Sequence, residues 1–289
     1  MNDKRLMTGA DVLSGVIDRY RRGIGPELWR TGYPKWNAFE IGPGLVSIIA
    51  APPKAGKTAL SMSIIADTLT ANPGLNAYVC NCEVSPSALM MRSLSRYSGI
   101  AADDIRFGRR GPGDDARLEN GLRRMGAFAS RMVFYTGPFT LADIRDTFGR
   151  ADAGAGLLCI DYLQRLRIDS TGGDDRRIEL ENVMSGLRGL ADAGLGIIGI
   201  SAVSRQKGHK GSDYAGIGLA SLRGSSELEY GADSIWLMHT GGPDAAEGEG
   251  TPKPEGMMIF ECAANRHGDT ASIPLVFDKR HMTFHTMDI

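Results

Sequence analysis

A chain of 289 residues, 42% hydrophobic and 23% charged, is long enough to bury a substantial core and has the balance of a soluble globular protein. With 33 Lys plus Arg against 34 Asp plus Glu the net charge is −1, which excludes a wholesale basic surface and confines any nucleic-acid contact to local patches. Four cysteines make no disulfide framework, no apolar run approaches the roughly 20 residues of a membrane span, and no signal-type segment follows Met1, so the expectation is a soluble, cytoplasmic protein.

Residues 1–23 read as one amphipathic helix. Thr8 and Asp11 form an imperfect capping box, Val12, Leu13, Val16, Ile17 and Tyr20 share one stripe, and Gly23 stops the helix after Arg19, Arg21 and Arg22. The Gly/Pro-punctuated stretch 23–44 sets this helix apart from the body, residues 24–289. The stripe suits either packing on its own domain or docking on a neighbouring subunit.

From Leu45 onward, apolar runs at 45–50, 76–82, 132–135, 156–161, 196–202, 234–239, 256–263 and 271–277 read as strands. Helical patterns fill 57–70, 85–97, 114–130, 140–151 and 177–193. This alternation predicts an α/β fold with a mostly parallel sheet covered on both faces, its last two strands forming an antiparallel hairpin. The Gly-, Glu- and Pro-rich stretch 240–254 reads as a mobile surface loop.

The strongest local signal is Ala51-Pro52-Pro53-Lys54-Ala55-Gly56-Lys57-Thr58, a P-loop with Ala in the first glycine position, placed between an apolar strand and a helix. Pro52 and Pro53 carry no N–H, so Ala55, Gly56, Lys57 and Thr58 must supply the phosphate cradle. Lys57 would reach the β/γ-phosphates and the Thr58 hydroxyl would take a Mg²⁺ position. Asp161, ending the apolar run 156–161, is the acidic partner for that Mg²⁺. Glu83 follows the strand at 76–82 and suits a general base for water; its plainer reading is an acid at the start of the next helix.

In this order the motifs resemble the C-terminal, RecA-like motor domain of DnaB-type replicative helicases over nearly the whole chain. The resembling segments include Thr31-Gly32-Tyr33-Pro34, Cys82-Glu83-Val84-Ser85, Ile160-Asp161-Tyr162-Leu163-Gln164, Leu222-Arg223-Gly224-Ser225, Ala232-Asp233 and Asn265-Arg266-His267-Gly268. The resemblance implies a RecA-like P-loop NTPase that binds ATP and Mg²⁺ and works as a hexameric ring. Such a ring translocates 5′ to 3′ on single-stranded DNA, with a replication loader or primase as a possible partner. It implies that Glu83 polarises the attacking water and that Arg266, on the tip of the C-terminal hairpin, is an arginine finger for a neighbour's γ-phosphate. It also implies that Arg223, Gly224 and Ser226 line the pore and hold the DNA backbone, and that the helix at the start of the chain grips the next subunit. The basic stretch around Lys207 and Lys210 reads as a flexible loop beside them, with Lys210 a further DNA contact.

Two positions depart from the family pattern: Ala202 stands where a Gln is usual, and Ala264 where a Lys accompanies the finger. Each change could reduce hydrolysis without abolishing it, which keeps open an ATP-binding assembly or loading factor beside the helicase reading. A RecA-like recombination ATPase that forms filaments on DNA is the other rival. Cys80 and Cys82 lack two further ligands at zinc spacing and read as core thiols, and His281 and His285 are too far apart along a strand to act together. Aromatic residues are only 7% and none interleaves the basic loop, which argues against a base-stacking module.

Overall fold

The computed structural model describes residues 7–32, 34–149, 156–168, 176–203, 206–208, 211–213, 217–222, 225–240 and 255–287. The strands are β1 (Val46–Ala51), β2 (Asn76–Asn81), β3 (Met132–Tyr135), β4 (Gly156–Asp161), β5 (Gly196–Ala202), β6 (Gln206–Gly208) and β7 (Gly211–Asp213). The chain continues through β8 (Ser234–His239), β9 (Met257–Asn265), β10 (Ser272–Asp278) and β11 (Thr283–Thr286). Among the described residues, nine strands form one sheet in the order β11-β10-β9-β8-β1-β5-β4-β2-β3. Strands β8, β1, β5, β4, β2 and β3 run parallel, and β9 to β11 extend the sheet antiparallel.

The parallel centre follows from composition. Every residue of β1 and β4 is buried, because helices cover both faces and leave no side for polar alternation. On one face, helices α2 (Lys57–Ala71), α3 (Pro86–Ser98) and α5 (Asp114–Met125) set Leu60, Ile65, Leu89 and Met125 against Ile49, Cys159, Trp236 and Phe260. On the other, α6 (Leu141–Phe148), α7 (Arg176–Asp192) and α8 (Ser225–Gly231) set Ile144, Leu187 and Leu228 against Ile48, Leu158, Ile197 and Ile235.

The helix read at the start of the chain is α1 (Gly9–Arg21), with the capping box complete: Thr8 Oγ1 accepts from Asp11 N at 3.2 Å and Asp11 Oδ2 accepts from Thr8 N at 3.2 Å. None of its residues is buried, and Val12, Leu13, Val16, Ile17 and Tyr20 are all exposed. The stretch after it behaves differently. Trp36, Phe39 and Ile41 enter the core, where Phe39 meets Trp236 edge-on at 5.5 Å.

Two ends of the sheet matter. Register pairs Ala51 with Ala202, Asn81 with Asp161 and Asp161 with Ile200, so the C-terminal ends of β1, β2, β4 and β5 converge on one edge. At the opposite edge Asp233 enters β8 and exchanges two backbone-region bonds with Val46: its Oδ2 accepts from Val46 N at 2.8 Å and its N–H donates to Val46 O at 2.8 Å. Arg188, Arg266 and His267 converge on the same carboxylate at 2.6, 3.3 and 3.1 Å. Burial works against ionising Asp233, yet these donors hold its carboxyl below the usual range.

Several details differ from the sequence expectation. The pattern at 114–130 breaks at Met125, where Gly126 caps α5 and a 3-10 turn, Ala129–Arg131, follows. The antiparallel part holds β9, β10 and β11, with β8 pairing β9, so it exceeds a single hairpin. The basic loop carries a short ribbon, in which β6 pairs β7 antiparallel with Gly208 opposite Gly211. The loop read at 240–254 lies almost wholly outside the described residues. No helix among the described residues is long and apolar enough to cross a membrane.

Trp236 joins the two strand systems, with Phe260 at 4.7 Å on one side and Phe39 on the other. Trp236→Ala should therefore cost about 3–5 kcal/mol, measured as a lower urea midpoint with an unchanged slope.

Candidate nucleotide-binding site

The P-loop leaves β1 at Ala51 and opens α2 at Lys57, as its sequence position requires. Gly56, the N-cap of α2, adopts φ +98°, and a Cβ there would stand 2.8 Å from the Phe277 ring, so only glycine fits. The N–H groups of Gly56, Lys57 and Thr58 open the helix and face its N-terminal end, where the dipole favours an anion. Ala55 contributes less than expected to that cradle, because its N–H donates to Pro52 O at 3.3 Å. Lys57 Nζ donates to the carbonyls of Ala51 and Pro52, each at 3.1 Å, which parks the ammonium inside the loop. Burial pushes the Lys57 ammonium below its ordinary range, with the charges of Asp161 and Glu83 pulling the other way.

Across the cleft, Thr58 Oγ1 donates to Asp161 Oδ2 at 2.6 Å. Asn81 Nδ2 donates to the same oxygen at 2.8 Å, while Asn81 Oδ1 accepts from the N–H groups of Glu83 and Val84 at 2.9 and 2.7 Å. Asn81 thus fixes both the acid and the turn that carries Glu83. Burial pushes the Asp161 carboxyl up, opposed by the Thr58 hydrogen bond and the Lys57 charge. Two oxygen donors this close, one a buried carboxylate, suit a hard divalent cation such as Mg²⁺.

Glu83 does not cap α3. Ser85 does, its hydroxyl accepting from Ala88 N at 3.3 Å, and Pro86 takes the first helical position. Glu83 instead lines an open cleft of about 950 Å³ together with Lys54, Gly56, Lys57, Thr58 and Asp161. Its carboxylate meets Arg165 at 3.3 Å. Arg92 of α3 and Lys279 also line this cleft. No periodicity or motif spacing singled out Asn81, Arg92 or Arg165; only adjacency to Glu83 and Asp161 could have drawn attention to them. Ala202 lines the same cleft, and the Gln164 amide bridges its N–H (3.4 Å) and the Ser201 hydroxyl (2.7 Å).

The remaining candidates fall elsewhere. Arg266 follows β9 at the opposite end of the sheet, with its guanidinium on Asp233 Oδ1 (3.3 Å) and Tyr230 O (2.7 Å), so it cannot reach its own P-loop. Ala264 packs partly buried against the core. Ser226 lies on α8 and donates to its neighbour Glu227 at 2.9 Å, whereas Arg223, Gly224 and Lys210 lie outside the described residues. Among the described residues no cluster of His, Cys, Asp and Glu is placed to hold a metal by itself, and burial pushes the Cys82 thiol up to about 11. His281 bonds Asp278 at 2.7 Å before β11 begins, while His285 lies within it.

A P-loop closing a buried parallel strand, with a Thr–Asp pair across the cleft and an antiparallel extension beyond β8, defines a RecA-like P-loop NTPase fold. Residues 31–286 match the family described as DnaB-like helicase C terminal domain, and the chain belongs to that family. It is 25% identical over 246 residues to the replicative DNA helicase DnaB of Geobacillus stearothermophilus, covering 83% of this chain and 52% of that one. It is 27% identical over 254 residues to DnaB of Buchnera aphidicola subsp. Baizongia pistaciae, covering 86% and 53%. The chain thus spans about half the length of these curated relatives. In fold it matches a solved structure described as an ATPase domain at TM-score 0.77 and 19% identity, over 97% of this chain and 99% of that one. It also matches a DnaB-like replicative helicase, described with its interactions with primase, at TM-score 0.79 and 19% identity, over 98% and 68%.

The raised Asp161 value has a testable sign. Folding favours its protonated form, so its contribution is fully present below the unfolded value, about 4, and is lost as pH rises through the folded one. Nucleotide-free Asp161→Asn should therefore melt above the parent at neutral pH, and the gap should close as pH falls below about 4.

Proposed function

We propose that this chain is the ATP-driven motor of a ring-forming DNA helicase, a hexamer that hydrolyses ATP at its subunit interfaces and translocates 5′ to 3′ on single-stranded DNA. One observation carries the reading: Lys57, Thr58, Asp161 and Glu83 gather at one end of the sheet while Arg266 is anchored at the other. A finger so placed can serve only another copy of the chain. The exposed stripe of α1 supports the same assembly, since it offers an apolar face that no other part of the described chain covers.

In this reading the γ-phosphate draws Lys57 off the Ala51 and Pro52 carbonyls, and the α2 N-terminus holds the phosphates. Thr58 and Asp161 hold Mg²⁺, which when bound neutralises phosphate charge. Glu83 takes a proton from water as the water oxygen bonds to the γ-phosphorus and the bridging P–O bond breaks. Arg266 of the adjacent copy stabilises the charge that develops, and Ala264 leaves it without an accompanying lysine from the same hairpin. Arg223, Gly224, Ser226 and Lys210 hold the DNA backbone, by contacts that carry no base information. The motor works in the cytoplasm, where a replication loader or primase is its natural partner. Family membership weighs against a filament-forming recombination ATPase, and Ala202 and Ala264 are the observations that favour an assembly factor with little hydrolysis.

Lys57→Ala should abolish hydrolysis, and Glu83→Gln should bind ATP without cleaving it, as read by nucleotide binding alongside phosphate release. Near-normal turnover in Glu83→Gln would remove Glu83 from the mechanism. Mixing inactive Arg266→Ala with inactive Lys57→Ala subunits should restore part of the activity, since a mixed interface pairs an intact P-loop with an intact finger. Mixed oligomers that form yet stay inactive would show that Arg266 does not act across an interface.

A further inference from the structure

The cleft's proposed base is not free. Arg165 Nη2 lies 3.3 Å from Glu83 Oε1, with the side chains 53% and 44% exposed. Glu83 lines the cleft, so the pair tethers one of its carboxylate oxygens beside the P-loop. The guanidinium is itself oriented: its carbon sits 5.8 Å from the Tyr162 ring centroid and Nε reaches the Tyr162 hydroxyl at 3.4 Å. Arg165 closes a 3-10 turn, Leu163–Arg165, that leaves β4 directly after Asp161 and Tyr162.

That turn is fastened to a second element. Gln164 donates to Ser201 Oγ at 2.7 Å and accepts from Ala202 N at 3.4 Å, at the C-terminal end of β5. One residue on, Val203 bridges Leu222, the residue immediately before Arg223 and Gly224. Among the described residues, contacts and adjacent peptide units therefore run from Leu222 through Val203, Ala202, Gln164 and Arg165 to Glu83. The side chain at Ala202 is too short to carry such a link itself, so the Gln164 amide carries it through the backbone.

We infer that Arg165 is a positioning residue that restrains Glu83 when no DNA is bound, and that strain on the Leu222–Val203 bridge when DNA binds moves the turn and frees the carboxylate. The inference rests on the readings of Glu83 as the base and of the segment after Leu222 as a DNA contact. An exposed ion pair shifts an equilibrium by at most roughly five-fold, so the restraint tunes the resting rate without switching it off. The coupling lies between two sites and is measurable as such.

The test compares wild type, Arg165→Ala and Arg165→Lys in ATP turnover with and without oligo(dT). Arg165→Ala should raise DNA-free kcat by up to roughly five-fold, with KM for ATP and the DNA-saturated kcat unchanged, so the stimulation ratio falls. Arg165→Lys keeps the charge and should retain most of the restraint. Gln164→Ala added to Arg165→Ala should change the ratio no further, because both lie on one link. A DNA-free kcat that is unchanged or lower in Arg165→Ala overturns the proposal. Nucleotide-free crystal structures of wild type and Arg165→Ala read the restraint without any turnover: the Glu83 carboxylate should shift away from residue 165 in the variant, and an unmoved carboxylate overturns the proposal. A wild-type chain that cleaves no ATP with or without DNA would instead sink the hydrolytic reading, leaving the crystal structures to decide on the restraint.

Discussion

Thr58 opens the helix that follows β1 and Asp161 ends β4, two strands that never touch. Strand β5 lies between β1 and β4, which places them about 10 Å apart. The 2.6 Å hydrogen bond across the cleft therefore depends on two registers being right together, Ala51 with Ala202 and Asp161 with Ile200. A slip of one residue between β4 and β5 would turn Asp161 to the other face of the sheet, and one between β1 and β5 would do the same to the strand that leads into the P-loop. Buried helices on both faces forbid that slip, because every residue of β1 and β4 is already packed. The core thus acts on the chemistry through register. The cation site, the Asn81 brace and the turn that carries Glu83 all follow from it.

The far end of the sheet is organised by a second buried carboxylate with the opposite electrostatics. Asp161 accepts only from the uncharged Thr58 and Asn81 side chains and burial raises its pKa, whereas Asp233 gathers the Arg188 and Arg266 guanidiniums, His267 and the Val46 N–H and stays below the usual range. The first is arranged to receive a cation; the second already holds its cations. One chain therefore carries a phosphate-binding end and a guanidinium-presenting end on opposite edges of one rigid sheet. Under the proposed roles such a body completes a site only when copies meet head to tail, an arrangement that gives a ring where the rotation closes.

The elements that were legible in the sequence share one property: their signal is local. Strands β3, β4, β5 and β8 were bounded to the residue because each is a continuous apolar run between turn residues. Lys57, Thr58 and Asp161 could be read because phosphate chemistry dictates residue types at strand ends. What escaped reading is tertiary. Helix α4 (Ala102–Phe107) is too short for periodicity to register. The β6–β7 ribbon was hidden in a stretch whose glycines and charges spell a loop. Asn81, Gln164 and Arg165 acquire meaning only through partners 80, 37 and 82 positions away, which no window along the chain can join. The helix dipole also offered Glu83 a plainer place at a helix start, and the Ser85 cap settles only that α3 does not need it.

The claim that one copy cannot complete its own site is tested most directly by the protein-concentration dependence of specific ATPase activity, followed beside oligomer mass at the same dilutions. Activity per chain should rise with the fraction assembled and approach zero for the monomer, because Arg266 reaches a P-loop only across an interface. Specific activity that stays constant while the oligomer dissociates would contradict the account.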